Sequence, residues 1–526
     1  MRSSRQPVAI FLALAALMLA GCRVGPQYQK PPAMTQAPPP AEYKEAPGPA
    51  QPNNGMPSST IVNKTTGSQT ADMGEWKVAQ PQDAMLHGKW WEVYNDPELN
   101  ALEDKLNIDN QTIKQYFNNF MEARTLIAQA RSQLYPTVGT GPSYTRTQTS
   151  GHVGSSAPSA AIGKQANLFD LPVDASWAPD LWGKVHNAIR EEQAVAQLSE
   201  ADLENEKLTE QASLAEYFFE IRGQDALTAI LKQTVADDQK SLDYTRAQYE
   251  TGVGDQISVV EAQNTLQNAQ SALTNLGVAR AQYEHAIAML TGSDPSTFSI
   301  AVKSLSAMPP AVPIGVPSQL LERRPDIATS ERMMAAANAQ IGIATAAYYP
   351  TLTLSAAGGF ESSVFGHLLD WSSRFWSVGP SVSETIFDAG LRRATVNQYI
   401  FTYNADVANY RQTVLTAFQQ VEDYLAAVRI LSQQIGQQQQ AAQTAQQFVD
   451  LETARYETGV DPYIDVVSSE NTLLADQQTL ATLHTQVMTA SVQLIEALGG
   501  GWDSTQLPTP EQVSKKLAPG ETSIQR

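Results

Sequence analysis

Two hydrophobic spacings alternate along this chain, and each pattern appears twice. From Phe169 to Trp177, Phe169, Leu171, Val173, Ala175 and Trp177 alternate with Asp170, Pro172, Asp174 and Ser176. This is the two-residue period of a two-faced strand, with Pro172 as a blemish. A more polar strand runs from Thr137 to about Thr149, and the Gly- and Ser-rich residues 151–163 join the two. After Tyr349-Pro350 the alternation returns more clearly: Leu352, Leu354, Ala356, Gly358 and Phe360 form one face, followed by Trp376, Val378, Pro380, Val382 and Ile386. Such strands fit either a soluble sandwich or a membrane barrel. Four strands cannot close a barrel, and a bilayer tolerates no open sheet edge, so a barrel requires several chains.

Between and after the strand pairs the period becomes helical. No proline occurs between Pro179 and Pro295, nor between Pro380 and Pro462. From Gly183 to a turn near Gly252, and from Gly390 to one near Gly459, the chain reads as continuous helix of roughly 100 Å at 1.5 Å per residue. Return helices, Gln256 to Leu290 and Tyr463 to Leu498, cover only roughly 55 Å. Helices from Leu99 to Leu134 and from Asp326 to Tyr348 supply the remaining length. Ala, Gln, Asn, Ser and Thr dominate, as in Gln433 to Gln447, which suits a coiled-coil wall with one wet face. Each half is therefore helix, β-hairpin, long helix, turn and shorter helix.

The turns are matched. Tyr249-Glu250-Thr251-Gly252-Val253 returns as Tyr456-Glu457-Thr458-Gly459-Val460, and Ile257, Val259, Val260, Asn264, Thr265 and Leu266 recur as Ile464, Val466, Val467, Asn471, Thr472 and Leu473. Gly252 and Gly459 can take the left-handed conformation that closes a helix. Asp255 and the pair Asp461-Pro462 are expected to supply an N-cap and a first-turn proline to the next helices.

The start of the chain bears on its compartment. Arg2 and Arg5 precede an apolar run from Val8 to Ala20, too short to span a bilayer and matching an export signal. The run closes in Leu19-Ala20-Gly21-Cys22, which resembles a lipobox. Cys22, the sole cysteine, is the expected lipid-bearing residue, with an N-acyl group and an S-diacylglycerol, and Arg23 favours the outer membrane. Residues 26–57 hold ten prolines and suit an extended, poorly ordered tether. The formal charge of −19, −21 once Arg2 and Arg5 are removed with the signal, disfavours nucleic acid as a partner. The scattered His87, His152, His186, His285, His367 and His484 show no metal-ligand spacing. Neither a phosphate loop nor a catalytic constellation stands out, so no catalytic residue, metal or other cofactor is expected.

Leu321-Glu322-Arg323-Arg324-Pro325-Asp326-Ile327, Tyr348-Tyr349-Pro350-Thr351, Phe387-Asp388-Ala389-Gly390, the Trp90 to Leu99 segment and the two Tyr-Glu-Thr-Gly-Val turns together resemble the outer membrane factors, the TolC-like channels, and their lipoprotein branch in efflux systems. The likeness spans roughly residues 85 to 500. It implies an α+β membrane channel: four strands per chain in a twelve-stranded outer-membrane barrel shared by a homotrimer, continued by a periplasmic α-helical coiled-coil barrel, with internal duplication. On this scheme residues 1–21 are the signal peptide, 22–84 the acylated N-terminus and tether, and 85–135 an equatorial lead-in with the first helix. The first barrel hairpin is 136–177, and 178–291 the first long helical hairpin with its tip near 249–256. Residues 292–325 cross the equator and 326–349 open the second repeat. Residues 350–387 are the second barrel hairpin, 388–498 the second long hairpin with its tip near 456–463, and 499–526 a tail.

The resemblance also implies function. The chain would be the outer-membrane exit duct of a tripartite system, docking a periplasmic adaptor and an inner-membrane transporter of RND type and passing drugs or other toxic small molecules. Laid on the family through Gly459, the gate at the threefold axis falls on Asp465, with Ile464 as an apolar constriction. Ser468, one turn on, stands where many relatives have aspartate. Three carboxylates on an axis repel one another and attract cations. Gly252, Val253, Gly459 and Val460 are the expected adaptor contacts, and Pro325-Asp326 reads as a helix start with Arg323 and Arg324 structural. A protein-secretion duct of the same family and a non-channel envelope lipoprotein are the alternative readings.

Overall fold

The computed structural model describes residues 24–34, 38–40, 42–45, 88–148, 165–305, 308–312, 315 and 317–516. Cys22, Arg23, the export signal and the 151–163 loop lie outside them. Helices α1 (Pro97–Asp109) and α2 (Gln111–Ser132) precede strands β1 (Thr137–Thr140), β2 (Ser143–Gln148) and β3 (Gln165–Trp177), then helices α3 (Lys184–Glu250) and α4 (Gln256–Leu290). A short α5 (Leu320–Arg323) leads to α6 (Pro325–Ala346), β4 (Thr351–Ser362), β5 (Arg374–Ser383), α7 (Leu391–Glu457), α8 (Tyr463–Ala497) and a terminal turn of helix, α9 (Pro510–Val513).

The duplication is exact at the level of helix ends. Lys184 and Leu391, Glu250 and Glu457, Gln256 and Tyr463, and Leu290 and Ala497 each stand 207 positions apart. The two long helices have 67 residues and the return helices 35, so each long helix spans about 100 Å. Helix α3 packs against α2, α4, α6 and α8, while α7 packs against α6 and α8. The central helix thus joins the two halves.

The β-sheet carries the clearest chemistry. Its order is β1 and β2 on β3, then β4 and β5, all antiparallel. Residues directly opposite in register share a face. Trp177 pairs with Leu354, Ala175 with Ala356 and Val173 with Gly358; Leu352, Ala356 and Gly358 pair in turn with Val382, Val378 and Trp376. One face is therefore apolar over most of the sheet, interrupted by Arg146, Gln148, Gln165 and Asn167 at the β2 end and by Arg374 opposite Phe360. The other carries Asp170 opposite Glu361, with Asp174, Ser176, Ser355, Ser377 and Ser381. At the crossing of Pro172 and Gly359 the backbones approach so closely that any Cβ on Gly359 would strike the Leu171 carbonyl. That glycine is what lets a proline sit in a central strand.

Several expectations need correction. The helix anticipated from Leu99 to Leu134 breaks at Asn110, whose side chain accepts from the Ile113 N–H at 2.9 Å and donates to the Leu290 carbonyl at 3.0 Å. A buried N-cap here restarts the helix and ties it to the end of α4. The fourth strand ends at Ser383, leaving Ile386 outside the sheet and 95 % exposed. The first strand is interrupted between Thr140 and Ser143.

The described part of the supposed tether is a strap. The Val24 N–H donates to the Trp182 carbonyl, and Asn187 and Asn338 side chains donate to the carbonyls of Val24 and Pro26. Tyr28 and Lys30 meet Glu331 on α6. Lower down, Tyr43 is buried with Leu320, Val421, Leu425 and Leu494. Glu422 of α7 accepts from the Lys44 and Glu45 N–H groups at 2.8 and 2.9 Å, and Arg429 meets Glu45. Proline abundance left this backbone few ladder hydrogen bonds to make, and long helices supply the partners instead.

Candidate gate and docking tips

Both tips close by the same hydrogen bonds. Gly252 and Gly459 each have φ +76. The Val253 N–H reaches back to the Gln248 carbonyl at 3.0 Å, and the Val460 N–H to that of Arg455 at 2.9 Å, the long bond of a Schellman closure. Thr251 and Thr458 hydroxyls cap the preceding carbonyls of Ala247 and Ala454. Val253 and Val460 then point into solvent, 80 % and 66 % exposed, and space around both glycines is open.

The tips differ at the next step. Asp255 is an N-cap, accepting from the Ser258 N–H at 2.8 Å, and this bond holds its carboxyl below the usual range. Asp461 caps nothing, contrary to expectation. It pairs with Arg455 on the preceding helix, and Pro462 is itself the N-cap residue rather than the first helical one. A proline in this position leaves the carboxylate free to fold back on the arginine. The Tyr456 hydroxyl donates to the Gln248 side chain at 2.6 Å, and its ring meets those of Tyr244 and Tyr463, so the two tips are bound to each other.

The first two turns of α8 are two-faced. Tyr463, Val466 and Val467 are buried with Leu242, Ala262 and Leu266 from α3 and α4. Ile464, Asp465 and Ser468 are all exposed, Ile464 by 48 %. The three expected gate residues thus lie on the exposed side of α8, Ile464 at its margin, where it also lines a cavity against α3 and α4.

Behind that face sequence reasoning missed a second acidic pair. Asp238 of α3, 4 % exposed, and Glu470 of α8 line a cavity of about 390 Å³ between α3, α4 and α8. Burial, then Asp237, pushes Asp238 up to about 6; burial, then Asp238 and Asp237, pushes Glu470 up to about 7. No sequence spacing links the two residues, since only the packing of α3 on α8 brings them together. Farther along, Arg324 does what its motif implied: it pairs with Asp326 at 2.6 Å and donates to the Gln420 side chain and the Ala497 carbonyl, tying α6 to α7 and α8.

Residues 104–293 and 316–500 match the model of the outer membrane efflux protein family. The chain belongs to that family. It is 26 % identical over 510 residues to a toluene efflux pump outer membrane protein, TtgC, of Pseudomonas putida, covering 97 % of this chain and 99 % of that one. It is 27 % identical to the cation efflux system protein CusC of Escherichia coli, covering 93 % and 97 %. Among solved structures the Campylobacter jejuni CmeC outer membrane channel superposes with a TM-score of 0.78 over 92 % of this chain and 96 % of the other, at 20 % identity. The fold of this family member is that of the TolC-like outer membrane channels.

Proposed function

We propose that this protein is the outer-membrane exit duct of a tripartite efflux system, working as a homotrimer with a periplasmic adaptor and an RND-type inner-membrane pump. The observation that carries the reading is the sheet: one face mainly apolar, the other mainly polar and acidic, with unpaired edges at β1–β2 and at β5 among the described residues. Lipid requires such edges to be closed, and three copies of this sheet make a twelve-stranded barrel with the polar face inside. A second support is the stripe of Phe401, Leu415, Ile430, Phe448 and Leu451, exposed along one side of α7 at multiples of the helical repeat. A neighbouring copy would cover it.

Passage would be gated without chemistry. In the trimer Ile464, Asp465 and Ser468 face the axis at the periplasmic end, and the carboxylates make the mouth prefer cations. The exposed tips around Gly252, Val253, Gly459 and Val460 would take the adaptor. Val24, held at Trp182 near the barrel end of α3, keeps Cys22 only two residues away, which suits a lipid at the bilayer surface. Small molecules are the cargo; relatives are named for toluene and for cations, so discrimination would reside in the pump.

The test is cross-linking in cells from Val253→Cys or Val460→Cys, positions whose side chains stand out in solvent. Capture of a periplasmic adaptor at either tip is expected. A folded trimer that captures none at both tips refutes docking there, and a purified trimer that conducts no ions refutes the duct.

A further inference from the structure

We infer that Asp238 and Glu470 form an oxygen-lined site for a divalent cation of the calcium or magnesium class, which would pin α8 to α3 directly behind the gate face. The pair sits on facing walls of one cavity, and one oxygen of each, Asp238 Oδ2 and Glu470 Oε2, is buried without any hydrogen-bond partner. Asp238 is nine-tenths and more enclosed. Buried carboxylates are normally paired or bound to metal, yet among the described residues no lysine, arginine or histidine lines this cavity.

The remaining surroundings point the same way. Asn264 and Thr265 of α4 and Asn471 of α8 line the cavity with neutral oxygens; Glu261 stands on the same wall, but among the described residues no three acidic or histidine side chains gather closely enough to chelate an ion, so the pair and the neutral oxygens would carry it. Of the other charged groups nearby, Asp237 is engaged by Lys240 at 2.9 Å, and the Tyr463 hydroxyl is held by Ser241 within electrostatic reach of both acids. Hard oxygen ligands and two carboxyls that a bound ion would keep ionised suit a divalent ion that retains some of its water. Soft metals would need sulfur or imidazole, and the described lining of the cavity has neither. Ile464 and Val467 form part of the same wall, so an ion here would stiffen the segment that carries Asp465. That consequence rests on the gate proposed above; the site itself does not.

Terbium(III) is the probe, because a nearby tyrosine sensitises its emission and Tyr463 lies beside the pair. In the purified full-length trimer, excitation of tyrosine is expected to give saturable emission with one ion per chain, displaced by calcium. By comparison with open, low-charge sites, calcium should act at roughly 0.1–1 mM. Lowering the pH from 8 to 5.5 should weaken binding at least tenfold as protons compete. Asp238→Asn and Glu470→Gln, both nearly isosteric, should each cut the sensitised emission at least tenfold with the trimer intact, whereas Asp465→Asn should leave it unchanged. Absence of sensitised emission from the wild-type protein overturns the site without recourse to any variant. So does emission that survives both substitutions, or that disappears only with Asp465→Asn, which would place the ion on the axial ring. Calcium that binds but leaves single-channel opening unaltered would count against the gate's coupling to α8 and not against the site.

Discussion

Asp225 lies 2 % exposed on α3 and holds two arginines: Arg280 at 2.7 Å and Arg222, itself 2 % exposed, at 3.7 Å, while Arg222 also meets Glu98. Removing one member of a buried ionic cluster strands the others. Asp225→Ala should therefore cost about 3–5 kcal/mol, read as a lowered melting temperature of the trimer. At Gly459 the strain is purely conformational, since φ is +76 and nothing crowds a Cβ. Gly459→Ala should loosen the tip by about 1–2 kcal/mol, and Gly459→Asn by less, seen as faster amide exchange at Val460. The two tip glycines were legible from sequence because a helix closure demands a left-handed residue. Asp461 was not, because its choice between capping and pairing with Arg455 depends on how the chain bends at Pro462.

Among the elements, the strap shows how a polar and proline-rich composition can mislead. Composition predicts disorder when a segment has too little apolar surface to bury, but one anchor can suffice if a groove is already built. Tyr43, 5 % exposed, is that anchor, and its hydroxyl has no partner among the described residues. Tyr43→Phe should be neutral or slightly stabilising, as no hydrogen bond is lost, while Tyr43→Ala should cost about 3 kcal/mol locally and expose residues 24–45 to protease. The α3–α8 contact is pH-dependent through Glu470. Its carboxyl ionises near 4.5 when unfolded and at about 7 when folded. Between those values the folded chain binds more protons, so this group's contribution to stability declines as pH rises from about 4.5 through about 7 and is level above. In chelator, Glu470→Gln should gain stability relative to the wild type at pH 8 compared with pH 5, measured by thermal melting. Equal differences at both pH values would remove the linkage.

For the whole molecule, the apolar face of the sheet makes a prediction about the membrane. Val378, 75 % exposed and opposite Ala356, faces lipid in the proposed barrel. Val378→Arg should destabilise by about 2–4 kcal/mol if it lies near the bilayer centre, reducing the heat-resistant trimer in the outer membrane, whereas Ser377→Arg on the opposite face should assemble. The sequence by itself determined the duplication, the strand and helix periods, the 67-residue helices, the tip glycines and the family, because periodicity, proline spacing and glycine at helix ends are local constraints written residue by residue. Tertiary structure alone decided the break at Asn110, the strap on α6 and α7, the pairing of Asp461 with Arg455, and the meeting of Asp238 with Glu470. Each of these depends on how segments settle against one another in space, and the burial and electrostatics involved exist only once long helices have packed side by side.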